Sequence, residues 1–245
     1  KGNRWGIILA KEASRKLMKR IEEVAFLIQA RLSSQRCPQK MARPFAGTTL
    51  LDLNIRKLVE SSLIPNENIY VSVYEEELVE IAENYPVNIF RRSEKSAMSE
   101  GTPMTEIYEW WDKIPHKYVI LTNACVPMLT VDTIEDFTRA YLKTTNTGMF
   151  GVIEKKNYFW DSHGNFLTTI DEAVMNTKTA QTVLEAAHCL YAGSLEDIGR
   201  NIWMGDFSKK GDIDLHPVPE QEVFDIDYEW EFELYEKLYS AVKEE

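Results

Sequence analysis

Arg31, Arg36 and Lys40 place three cations in the segment Ala30-Arg31-Leu32-Ser33-Ser34-Gln35-Arg36-Cys37-Pro38-Gln39-Lys40, with Ser34 and Pro38 between them. Guanidinium forks supply paired donors to phosphate oxygens, and an ammonium supplies a point charge. Interleaved hydroxyls and free backbone N–H groups suit a loop that wraps a polyphosphate. The bland reading is a solvated basic turn. Near the other end of the chain, Asp225 and Asp227 flank Ile226. In extended backbone such a pair points to one side, making a hard-oxygen site suited to Mg²⁺. The competing reading is that Asp227 caps the helix that follows.

The background charge makes the cationic segment an exception. The 245 residues carry 28 Lys and Arg against 39 Asp and Glu, a net charge of −11. That balance argues against nucleic acid or an anionic membrane as partner, since both draw on surplus cations. A local basic cluster in an acidic chain points instead to a small anionic ligand. Cys37, Cys125 and Cys189 are widely spaced and form no CxxC, so no zinc site is expected. Their sparse, odd number fits a reducing compartment, and a cytoplasmic protein is expected. No apolar run reaches the ~18–20 residues of a membrane span.

The elements that must position these residues follow an α/β rhythm. Strands are expected at Val24–Ala30, Ile69–Val73, Val87–Phe90 and Tyr118–Leu121. Helices are expected at Leu50–Ser62, Glu76–Asn84, Thr102–Lys113 and Val131–Lys143. Such alternation builds a mostly parallel sheet covered on both faces, with ligands beyond the carboxyl ends of the strands. The loops after residues 30, 73, 90 and 121 should therefore share one rim. Beyond Gly148 the rhythm breaks. Met149–Ile153 and Asp212–Pro217 read as further strands, and Trp230–Val242 as a closing amphipathic helix. Turn signals at Asp161-Ser162-His163-Gly164-Asn165 mark a hairpin excursion over about 155–186. Residues 1–23 read as an N-terminal extension, helical through Ala13–Glu23, and 24–245 as one domain.

At these residues the chain resembles the acylneuraminate cytidylyltransferase family, which includes CMP-sialic acid synthetases and 3-deoxy-manno-octulosonate cytidylyltransferases. The family pattern A-R-x-x-S-x-R-x-P-x-K is met by Ala30, Arg31, Ser34, Arg36, Pro38 and Lys40. The likeness continues through Phe90-Arg91-Arg92, Leu121-Thr122-Asn123 with Pro127, and Phe224-Asp225-Ile226-Asp227. It implies one Rossmann-like nucleotidyltransferase domain that often dimerises. It also implies transfer of CMP from CTP to an acidic small-molecule acceptor, with release of pyrophosphate, in surface glycan biosynthesis. The alternatives are a non-sialic acceptor such as a phosphonate, or a catalytically inactive nucleotide-binding subunit.

The resemblance assigns the nucleotide to Ala30, Arg31, Ser34, Arg36, Lys40, Arg92 and Asn123, and Mg²⁺ to Asp225 and Asp227. It assigns catalysis to Arg31, Lys40 and Asp227, and a weak acceptor contact to Gln181. Arg91, beside Arg92, competes for the same role. As an exposed loop cation, Lys40 is expected to matter for turnover and little for stability. Three departures stand out. Ser33 replaces a glycine, at a cost on the order of 1 kcal/mol if that position needs φ > 0. Ala124, Cys125 and Val126 stand where octulosonate-type relatives carry an aspartate. Ala187-His188-Cys189 replaces an Asn-Gly pair at the sugar.

Overall fold

The computed structural model describes residues 18–98, 102–170 and 176–243. At its heart lies β1 (Val24–Gln29), a strand buried along almost its whole length. Val24, Phe26 and Ile28 enter one apolar cluster, while Ala25 and Leu27 enter a second on the opposite face of the sheet. That division is the two-residue repeat of a strand clad on both sides.

The other strands are β2 (Ile69–Val73), β3 (Asn88–Arg91), β4 (Tyr118–Thr122), β5 (Gly148–Lys155), β6 (Val183–Ser194) and β7 (Ile213–Pro217). They form one seven-stranded sheet in the order β3-β2-β1-β4-β6-β5-β7. β1 runs parallel to β2 and β4, β2 to β3, and β5 to β7, whereas β6 is antiparallel to β4 and β5. The expected α/β fold with a mostly parallel sheet is therefore present. β6 carries a register shift opposite Gly151, and His188 takes a left-handed φ of 51° within it.

The helices are α1 (Leu50–Glu60), α2 (Glu76–Ala82), α3 (Glu94–Ala97), α4 (Met104–Ile107), α5 (Val131–Lys143), α6 (Leu195–Gly199) and α7 (Glu229–Lys243). The start of α1 is set by Thr49, whose side chain accepts from Asp52 N, and that of α5 by Thr130, which accepts from Thr133 N. Each such cap is worth about 1 kcal/mol. α5 matches its expected span.

The helix expected over Thr102–Lys113 is reduced to the single turn of α4. Tyr108, Trp110 and Trp111 all pack into the second apolar cluster, with Trp110 fully buried. A regular helix would rotate Trp110 and Trp111 about 100° apart. The chain winds irregularly here, burying Trp110 and packing a partly exposed Trp111 against the same cluster.

The first five residues of the helix expected at Ala13–Glu23 lie outside the described residues. Within them, Ile21–Glu23 form only a 3₁₀ turn. Just ahead, buried Lys19 donates to the carbonyls of Thr144 at 2.6 Å and Asn146 at 2.7 Å, so it packs with the sheet unit. In the excursion, Trp160 bridges Phe166 across a turn in which Asp161 Oδ1 accepts from the backbone of His163 and Asn165. No helix among the described residues is long and apolar enough to cross a membrane.

Candidate active site

The segment after β1 folds back on itself beyond the carboxyl end of the sheet. Its entry is fixed by Ala30 N donating to Ser72 O at 3.1 Å and Leu32 N to Glu75 Oε1 at 2.9 Å. Its exit is fixed by Gln39 N donating to Leu32 O at 3.2 Å, and Cys37 is buried beneath it. The left-handed residue is Gln39, with φ 56°, rather than Ser33, so the expected glycine strain does not arise there. This bend follows Pro38 directly and turns Lys40 inward. Lys40 is only 8% exposed, which corrects its expected place on an exposed loop.

Arg31, Ser34, Arg36 and Lys40 line one cleft of about 690 Å³, with Cys125 and Asp227 on its other wall. Arg36 lies 2.8 Å from Asp227 Oδ1, and Lys40 Nζ lies 3.7 Å from the same oxygen. Lys40 Nζ also donates to Ile226 O. Burial works against the Lys40 charge, but Cys125, Asp225 and Asp227 outweigh it and hold the ammonium above its ordinary value. Cys125 itself is pushed up to about 11 by burial, against the opposing pull of Lys40.

Asp225 is the less solvated of the two carboxylates. Burial, with Asp227 beside it, raises its carboxyl to about 6 against the opposing pull of Lys40, the Asn123 amide and His188. Its Oδ1 is buried without a hydrogen-bond partner. An orphaned buried carboxylate oxygen is costly unless a cation takes it. Asp225 and Asp227 thus fit a divalent ion that completes its shell with water and phosphate oxygens. Among the described residues no three His, Cys, Asp or Glu side chains converge as a cage, so such an ion would need ligand oxygens.

The remaining expected residues divide. Arg92 is buried, donates through Nε to Ser96 Oγ at 3.0 Å, and lines with Arg31 a smaller cavity of about 170 Å³ beside the main cleft. Burial and the neighbouring Arg31 lower its pKa to about 10. Arg91 is excluded from this role because it points outward to Glu76, at 2.7 and 3.0 Å. Asn123 is committed to the protein: Nδ2 donates to His188 O at 2.7 Å and Asp225 Oδ2 at 3.4 Å, and Oδ1 accepts from Cys125 N at 2.9 Å. In the free protein it ties β4 to the segment that carries Asp225. Gln181 is exposed in the excursion, tied through its N–H to Thr169 O, and lines neither cavity.

Sequence reasoning missed Glu75 and Ser96, and noted His188 only within a departure from the family pattern. Glu75 was hidden in the acidic run before α2, although its Oε1 anchors the cation loop. His188 carries a readable signal only in hindsight: an exposed imidazole beside buried Cys189, its Nδ1 lying 3.1 Å from the Tyr191 hydroxyl.

Solved structures share this architecture. A CMP:2-keto-3-deoxy-manno-octonic acid synthetase complexed with CTP superposes with a TM-score of 0.64 at 11% identity, covering 91% of this chain and 100% of that one. A cytidylyltransferase from Leptospira borgpetersenii serovar Hardjo-bovis gives 0.61 at 17% identity, covering 91% and 87%. A 4-diphosphocytidyl-2C-methyl-D-erythritol synthase from Anaerococcus prevotii gives 0.62 at 12% identity, covering 95% and 99%. No curated protein matches the sequence. A family model described as Cytidylyltransferase does match, over residues 25–195, from the first residues of β1 to the end of β6. That match spans well over half of the chain, and the protein belongs to the cytidylyltransferase family as a CTP-dependent nucleotidyltransferase.

Proposed function

We propose that the enzyme transfers CMP from CTP to a hydroxyl of an acidic sugar of the nonulosonic or ulosonic acid type, releasing pyrophosphate, as a step in surface glycan assembly. One observation carries this reading: Arg31, Arg36 and Lys40 share a single cleft with Asp227, and Asp225 lies close behind it. In the free protein Arg36 and Lys40 rest on Asp227. A triphosphate entering the cleft draws these cations onto its own oxygens and frees the carboxylate.

Arg31, Arg36 and Lys40 then spread the charge that grows on the departing pyrophosphate, and the protein supplies position and field with little covalent work. The acceptor oxygen bonds to the α-phosphorus as the bond to the β-phosphate oxygen breaks, and the hydroxyl proton passes to an aspartate of the pair. Mg²⁺ held by Asp225 and Asp227 would neutralise phosphate charge and orient the attacking hydroxyl. The smaller cavity takes the base. Cytosine offers O2 and N3 as adjacent acceptors to the Arg92 guanidinium, whereas uracil presents an N3–H donor that repels it.

The acceptor class rests on the motif resemblance, since the fold is shared with enzymes named for different products. Pyrophosphate release from CTP and Mg²⁺ across a panel of acidic sugars tests it. Release with at least one nonulosonic or ulosonic acid is expected; tight CTP binding with no release for any acceptor would favour a nucleotide-binding subunit without catalysis.

The excursion supports a homodimer. Trp160 is 57% exposed and Leu167 61%, with exposed Phe166 and Leu184 nearby, which is a large apolar surface to leave in water. Light scattering at micromolar concentration should return twice the chain mass, and Trp160→Glu should shift it toward the monomer. A monomeric mass for the wild type would contradict this pairing.

A further inference from the structure

Asn54 and Lys57 lie on the buried face of α1, among Leu50, Leu53 and Leu58. Both reach the stretch that follows β4. Asn54 Nδ2 donates to Ala124 O and to Leu50 O, each at 2.8 Å. Lys57 Nζ donates to Pro127 O at 2.6 Å and Val126 O at 3.3 Å. The same stretch holds the carboxylates, because Cys125 O accepts from Ile226 N at 2.9 Å and Asn123 donates to Asp225. The other side of α1 is joined to the cation loop through Leu51 N, which donates to Met41 O at 3.2 Å. One helix therefore contacts both walls of the cleft.

Stability alone does not call for these residues. Burial pulls the Lys57 ammonium down to about 7, so keeping it charged in this place works against the fold. An apolar side chain of similar length would fill the space without that cost. What lysine and asparagine add is direction: they hold the carbonyls of Ala124, Val126 and Pro127 at defined points against a rigid helix.

We propose that Asn54 and Lys57 are positioning residues for nucleotidyl transfer, fixing the Ala124–Pro127 loop so that Asp225 and Asp227 face the cation loop at the distance the metal requires. The inference rests on the role given above to the two aspartates. Neither residue lines the cleft or the smaller cavity. Their effect should therefore appear in metal dependence and turnover rather than in the grip on the triphosphate.

Lys57→Met, which keeps the stem and removes the donors, separates the possibilities. Its melting temperature should stay within a few degrees of the wild type, because relief of the buried charge offsets the loss of donors to the Val126 and Pro127 carbonyls, and CTP affinity without metal should change less than twofold. The Mg²⁺ concentration giving half-maximal stabilisation of the CTP-bound protein should rise at least tenfold, with kcat falling more than KM rises. Asn54→Ala provides an independent second variant with the same expected signature. A wild type whose CTP-bound form gains nothing from Mg²⁺ refutes the aspartates' metal role itself. A wild type that does gain, with Lys57→Met titrating identically, overturns this inference alone. Loss of fold in both variants also overturns it, since positioning requires an intact fold with a displaced loop.

Discussion

Lys40→Ala should lower turnover at least tenfold and also lower the melting temperature. The first effect follows from removing a cation that lines the cleft proposed to hold the triphosphate. The second follows from burial: Lys40 is 8% exposed and its Nζ donates to Ile226 O, so alanine leaves that carbonyl without its donor and a void where the stem packed. Losing such a bond and its packing costs about 1–3 kcal/mol, and each kcal/mol is worth about 2–4 °C in a chain of this size. Steady-state pyrophosphate release and a thermal melt read the two effects separately. Unchanged turnover removes Lys40 from the transfer step; an unchanged melt shows that the tie to Ile226 contributes nothing to the fold.

Asp225→Asn should act in opposite directions on stability and activity. The Asp225 carboxyl titrates at about 6 in the folded chain because burial and Asp227 disfavour its charge. The unfolded value is about 3.9. The folded state therefore keeps a proton that the unfolded state has already released. The corresponding stability is fully present below about pH 4 and is lost as pH rises through about 6. At pH 8 the ionised side chain costs the free protein on the order of 3 kcal/mol. Asparagine removes that cost, so denaturant melts should show a gain at pH 8 and little or none at pH 4. Turnover with Mg²⁺ should fall at least a hundredfold, because the proposed metal site uses the carboxylate oxygen that lacks a partner in the free protein. A variant less stable than wild type at pH 8 would mean that the Asn123 contact outweighs the burial of charge.

Much of this was legible in the sequence because it depends on local pattern. Val131–Lys143 was readable to the residue, since Thr130 supplies the cap and apolar positions recur at helical spacing up to Lys143. The cation loop was readable because residue type and spacing carry its chemistry directly. What escaped depends on packing between distant segments. Arg91 and Arg92 are neighbours of one type, and only the parity of β3 sends one outward to Glu76 and the other into the cavity with Arg31. Asn123 reads as a turn residue or base contact until β6 and Asp225 close around it. Lys40 looks solvated until the Asp225–Asp227 segment folds over it. Asn54 and Lys57 did leave a trace, as polar residues in register with buried Leu50 on one helix face.

The most direct test of the whole account is a thermal-shift comparison of CTP, UTP, ATP and GTP, each with and without Mg²⁺. A cleft that binds a triphosphate between Arg31, Arg36 and Lys40 and the Asp225–Asp227 pair, with Arg92 reading the base, predicts the largest rise in melting temperature for CTP with Mg²⁺. That rise should shrink when the metal is chelated. Equal shifts for all four nucleotides, or none with CTP, would contradict it.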